Sequence, residues 1–457
     1  MNRFVPPHSR DALVSTARRL RPSGLAGAAL AVALLVAVLF SQAAEADTNP
    51  LTLAEAQRLA AARSKQIEAS DAGISASKDL AVAATERPDP VAKIGIENLP
   101  VNGSEAFSLQ DDFMTMRNVG IMQEITRPSK LRARSAEAEQ AVALAEAKRQ
   151  ETLVVVRRLT ALAWLECYYA EATQRSVSDQ IDAARLEVTA AEAAYRGGRG
   201  TAADVLAARQ SVAELDDQAT EASRASKTAR IALSRWVGDA GDRALAGEPS
   251  MDTIPLHRHS LDAQLADHPE IQTLERREAL ARAGAEVARA DRRPDWSVGF
   301  VYSVRGTGYS NMVTLELTVP LQIRRAERQD PKLAAKLAEA SQAKAEREEM
   351  LREHSAELAA MIDTWESARE RRAHYRSTII PLAADRTLAT RAAYQGGKAT
   401  LAELLSAHRA EIEARLKALE IEASAARLWA QLNFLTVPAE ELAVSAHRTQ
   451  TPEGNLP

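Results

Sequence analysis

A chain of 457 residues with net charge −4, in which acids and bases are interspersed, lacks the basic patch that nucleic-acid binding requires. Aromatics make up only 4%, and Ala, Leu, Glu and Arg dominate, which excludes a thick aromatic core and suits long helices packed through small side chains. A single cysteine, Cys167, excludes an intrachain disulfide and a cysteine-based metal cluster.

The N-terminus carries Arg18, Arg19 and Arg21, an apolar run over 25–40 and then Ala44-Glu-Ala46. This order is that of a secretory signal, so residues 1–46 are expected to be removed on export. No cysteine stands at the cleavage position to take a lipid. Residues 47–237 form a first repeat. Apolar residues at helical spacing predict a helix over 53–84, stopped by Pro88 and Pro90. Strands are expected at about 91–97 and 118–126, separated by a polar loop. A helix without internal Pro or Gly then runs from about Leu131 to Tyr195, roughly 95 Å long, and a second runs from Thr201 to about Val237. Residues 238–267, broken by Gly238, Gly241, Gly247 and Pro249, connect this unit to the next.

Residues 268–437 repeat the order. A helix over 269–290 leads to strands at about 296–304 and 312–321. Trp296, Val298, Phe300 and Tyr302 share one face of the first, and Val313, Leu315 and Leu317 one face of the second; both faces are expected to meet lipid. A long helix over 331–394, kinked at Pro381, and a final helix complete the repeat, and 438–457 is a polar tail.

The turns between the long helices are duplicated. Ala193 to Ala208 and Ala392 to Ala407 align with nine of sixteen positions identical, about 200 residues apart. In each, a glycine pair, Gly197-Gly198 or Gly396-Gly397, is expected to supply the positive φ that ends a helix. Thr201 or Thr400 then starts the next helix, with Asp204 or Glu403 completing a capping box. The same two acids would form a charged ring if the turns surround a pore.

Two long hairpins and four strands in an exported chain pose a physical problem. An open four-stranded sheet cannot sit in hydrocarbon, because its edges leave N–H and C=O groups unpaired, and closed membrane barrels need about eight strands. Several copies must therefore share one barrel, with the helices continuing it as a tube.

The twofold order of helix, strand, strand and helix pair resembles the TolC family of outer-membrane efflux proteins over about residues 51–437. The resemblance is carried by Tyr195-Arg-Gly-Gly and Tyr394-Gln-Gly-Gly at the turns, Leu51-Thr-Leu53-Ala-Glu-Ala56, His268-Pro-Glu-Ile271 and Arg293-Pro-Asp-Trp296-Ser-Val-Gly299. It implies a mainly α fold with membrane β: a homotrimer whose twelve-stranded β-barrel continues into a twelve-helix periplasmic α-barrel. It further implies a passive exit duct of a tripartite system, embedded in outer-membrane lipid. Its partners would be a periplasmic adaptor (membrane fusion) protein and an inner-membrane RND-type transporter, and it would use no cofactor. By position, Tyr195, Gly197, Gly198, Thr201, Tyr394, Gly396, Gly397 and Thr400 would be adaptor-docking tips, and Asp204 and Glu403 aperture carboxylates. Ser406 stands where well-known members carry a second acid. The lack of a long insertion between the halves resembles the cation-efflux (CzcC- or CusC-like) branch and implies heavy-metal export, although that branch's lipid-anchoring cysteine is missing. A duct for drugs or organic solutes, or for type I secretion, is the alternative.

No phosphate loop, nucleophile elbow or zincin motif occurs, so no catalytic residue and no enzyme activity is expected. A periplasmic adaptor would have one hairpin with small β-domains, and a coiled-coil structural protein would leave the strands unexplained. Met114, Met116 and Met122 read as packing residues and His257 and His259 as a solvated pair, so no metal ligand is assigned.

Overall fold

The computed structural model describes residues 49–256 and 261–435. The expected export signal, the His257 and His259 pair and the expected polar tail lie outside these residues. The described residues from Leu51 onward form a single unit.

The first helix expected from periodicity is two helices, α1 (Leu53–Arg63) and α2 (Lys65–Thr85). Ser64 leaves the helical conformation between them, and its hydroxyl accepts from the Ile67 N–H at 3.4 Å. Serine competes for backbone donors in this way, which is why it interrupts a run whose apolar spacing is continuous. Strands β1 (Val91–Glu97) and β2 (Met116–Ile125) follow. Helix α3 (Pro128–Arg196) is uninterrupted for 69 residues, about 100 Å, with proline in its first turn where no N–H is missed. Helix α4 (Ala202–Val237) runs back along it.

Past the connection come α5 (Leu261–Leu265), α6 (Pro269–Ala290), β3 (Trp296–Val304) and β4 (Met312–Thr318). The long helix of this half begins earlier than expected and is interrupted. It comprises α7 (Arg325–His374), with Pro331 inside it, a π-helical turn (Tyr375–Ile379) and α8 (Ile380–Gln395). Pro381 sits in the first turn of α8, and its missing N–H breaks the α-helical ladder just where the wider turn occurs. Helix α9 (Leu401–Asn433) completes the second hairpin.

The four strands form one antiparallel sheet in the order β1-β2-β3-β4. The central β2–β3 pair joins the two halves, with Val119 opposite Tyr302 and Ile121 opposite Phe300. The register aligns apolar residues in rows: Ile94, Val119, Tyr302 and Val313 in one, and Ala92, Ile121, Phe300 and Leu315 in the next. Every large residue of these rows is exposed, Ile94 at 84% and Leu315 at 78%. The opposite face carries Lys93, Asn118, Ser297, Ser303, Thr314 and Glu316.

On that polar face Lys93 of β1 meets Glu316 of β4 at 3.3 Å. Three strand spacings of about 4.8 Å separate the edges of a flat sheet, so the contact requires the sheet to curl toward this face. Gly120 permits the curl, since a Cβ there would lie 2.7 Å from the Phe300 carbonyl oxygen. β1 and β4 have no outer partner among the described residues.

The main core lies midway along α3, where the C-terminal ends of α4 and α9 reach it. Trp164, Leu165, Leu233, Ile362, Trp365 and Trp429 pack around Leu51 and the inter-repeat connection. The indole N–H groups of Trp164 and Trp429 donate to the carbonyls of Leu51 and Thr253, both at 3.0 Å, so their burial leaves no donor orphaned. Arg376, within the π turn, reaches Glu422 at 2.6 Å and Glu248 at 3.5 Å.

Candidate functional site: the paired helical turns

Both turns are built alike. Helix α3 ends at Gly197 and α8 at Gly396, each with φ −80°, and the following Gly198 and Gly397 each have φ +72°. Only the second glycine of each pair thus occupies the left-handed region, which corrects the expectation that the pair shares it. The closest atom to a Cβ at Gly197 would be the Ala193 carbonyl oxygen, at 3.3 Å, whereas at Gly198 the backbone itself disfavours any side chain.

The capping boxes are complete. The Thr201 hydroxyl accepts from the Asp204 N–H at 3.2 Å, and the Thr201 N–H donates to the Asp204 carboxylate at 2.8 Å. Thr400 and Glu403 repeat this at 3.2 and 2.7 Å. In both acids the backbone N–H and then the hydroxyl of the threonine hold the carboxyl below its ordinary pKa. While serving as caps at the helix starts, Glu403 is exposed and Asp204 half-buried.

The turns differ in their surroundings. Tyr195 is 53% exposed, whereas Tyr394 packs against the cluster of Ala191, Ala208, Leu401 and Leu404 that joins the two hairpins near their ends. Further along, His408 of α9 lies between two residues of α3. Its Nδ1 is 3.0 Å from Glu187 and its Nε2 3.1 Å from Gln180. Arg391 approaches Glu187 at 3.8 Å. These residues lie far apart in sequence on separate helices, so no local motif announces them. Beside the second turn a cleft of about 640 Å³ is lined by Arg386, Thr390, Lys398, Glu403 and Ser406.

The turns and the strand face lie on different elements. Trp296, Val298, Phe300 and Tyr302 on β3, and Val313, Leu315 and Leu317 on β4, share the exposed apolar face. Met116 and Met122 fall on the other face of β2, and Met114 on the loop before it. No helix among the described residues is long and apolar enough to cross a membrane.

The family model of outer membrane efflux proteins matches residues 261–436. The chain has the fold of the outer-membrane efflux channels. The solved structure of CusC superimposes with a TM-score of 0.72 at 15% identity, covering 84% of this chain and 92% of that one. The Campylobacter jejuni CmeC outer membrane channel gives 0.72 at 12% identity, with 87% and 88% covered, and the outer membrane protein VceC of Vibrio cholerae gives 0.68 at 19%, with 84% and 95% covered. No curated protein sequence matches the chain. The resemblance to the outer-membrane efflux family therefore holds in the fold of both halves and in the sequence of the second.

Proposed function

We propose that the protein is the passive outer-membrane exit duct of a tripartite, RND-type efflux system, and that it works as a homotrimer. The observation that carries this is the sheet: four strands with both edges open, one face apolar and exposed, the other polar and curled inward. Such a sheet is stable in lipid only when its edges are paired, and three copies joined edge to edge close a twelve-stranded barrel with the polar face lining the lumen. The helical hairpins then extend into the periplasm, and the two glycine turns of each copy are the tips that meet an adaptor. The energy for transport comes from an inner-membrane partner, since a duct of this kind carries no catalytic chemistry.

We assign heavy-metal cations as the cargo, in line with the resemblance to the cation-efflux branch and with the ionised carboxylates of Asp204 and Glu403 at the turns. Deleting the gene should leave cells more sensitive to divalent heavy metals with little change toward organic toxicants. The reverse pattern would transfer the assignment to organic solutes. Recovery of the mature protein as a soluble, non-oligomeric periplasmic species would overturn the duct itself.

A further inference from the structure

The seam between α6 and α7 contains a polar cluster that neither the sheet nor the turns use. His268 immediately precedes α6, and Pro269 after it favours the extended conformation observed there, with φ −68° and ψ 127°. Its side chain makes no capping bond. The residue is 6% exposed, yet its Nδ1 has no hydrogen-bond partner. A buried ring nitrogen without a partner is costly, which makes its retention informative.

His354 of α7 faces it, with ring centroids 5.1 Å apart. The Nε2 of His354 lies 3.1 Å from a Glu270 oxygen, and its Nδ1 3.7 Å from Glu357. One potential ligand atom from each of His268, Glu270 and His354 lies within 4.8 Å of the other two. Ligands about 2.1 Å from a tetrahedral ion stand roughly 3.4 Å apart, so a pair at the outer limit of that spacing has to close by about 1 Å. Two imidazoles and one carboxylate suit zinc, nickel, cobalt or copper better than the hard cations magnesium and calcium.

The electrostatics favour a cation. Glu270 and Glu357 supply negative charge, while Arg158 of α3 opposes it. The buried Nδ1 of His268, which has no hydrogen-bond partner, offers a lone pair for coordination when the ring carries its proton on Nε2.

We propose that His268, Glu270 and His354 bind one divalent transition-metal ion, which clamps the start of α6 to the middle of α7. The ion's remaining position is open to water. Further along the same seam, buried Glu278 pairs with Arg347 at 2.8 Å and also with Arg282, and a hollow of about 300 Å³ lined in part by Ile271, Glu275 and Leu351 adjoins these residues. The ion therefore adds a second polar clamp to a seam already fastened at Glu278. This site is independent of the cargo assignment, because it concerns a resident ion and not one in transit.

The test uses the full-length, detergent-solubilised oligomer with any affinity tag removed. Titration with Co²⁺ should give visible ligand-field bands of a low-coordinate site at one ion per protomer, discharged by Zn²⁺. His354→Gln and Glu270→Gln should each weaken binding at least tenfold, and Zn²⁺ should raise the melting temperature of the native protein but of neither variant. Loading the native protein with Cu²⁺ gives a readout that does not depend on variants folding: pulsed electron paramagnetic resonance should detect two coordinated imidazoles. Absence of stoichiometric binding, unchanged affinity in both variants, or a spectrum with fewer than two imidazoles would overturn the proposal. Cellular metal resistance is not the readout, so a failure here leaves the duct standing, and a failed duct leaves this site standing.

Discussion

The imidazole of His408 sits 3.0 Å from Glu187 and 3.1 Å from Gln180, tying α9 to α3 at a point where both His408 and Glu187 are almost fully buried. The approach to Glu187 is close but poorly aligned, and neither carboxylate oxygen gains a full hydrogen bond. Removing His408 therefore leaves a buried acid with Arg391, 3.8 Å away, as its remaining charged neighbour among the described residues. His408→Leu should destabilise the end of the hairpin pair by about 2 to 3 kcal/mol, and the double change with Glu187→Leu should recover most of that loss. Hydrogen exchange of the Ala184 to Ala191 amides measures both. Equal protection in native and single-variant protein would remove the tie from the account.

The positive φ of Gly198 and Gly397 leads to a position-specific expectation. Gly198→Val or Gly397→Val should strain the turn by about 1 to 2 kcal/mol, while Gly197→Ala, at an ordinary φ, should be mild. If these turns are the adaptor tips, the Val variants should assemble normally yet lose adaptor crosslinking and efflux. Full efflux in both Val variants would remove the turns from the docking role.

The caps give a pH dependence. Asp204 and Glu403 are held below their ordinary pKa by bonds made only in the folded turn, so their stabilisation is complete above the unfolded carboxyl values near 4. It is lost as pH falls through the lower folded values. Proteolysis at the turns should thus be flat from pH 7 to about 5 and rise below about 4. Asp204→Asn and Glu403→Gln should raise proteolysis already at neutral pH and flatten its acid rise, because the neutral amide is a weaker partner for the threonine N–H and does not titrate.

The sheet predicts a contrast between its faces. Leu315→Arg, on the exposed apolar face, should cost about 2 to 4 kcal/mol if that face meets the middle of a bilayer, and outer-membrane incorporation should fall. Thr314→Arg, one residue away on the polar face, should insert normally and alter conductance instead. Equal incorporation of the two would contradict a lipid-facing row.

What the sequence legibly contains is local. A threonine and an acid three residues apart satisfy each other's backbone within one turn, so the capping boxes at Thr201 and Thr400 need no other part of the chain. Alternation along Trp296 to Tyr302 likewise sorts the two faces of a strand without naming its neighbours. The break at Ser64 was hidden because apolar periodicity runs across it, and the early start of α7 because 325–330 is almost wholly polar and Pro331 reads as a helix start. Tertiary structure alone decided the rest. It paired β2 with β3 across the two repeats, placed the left-handed residue at the second glycine of each turn, and set His408 against Glu187. It also brought His268 and Glu270 to His354, 84 residues beyond Glu270 in the chain. These contacts join segments whose approach depends on how whole helices and strands pack, and no short-range pattern encodes that.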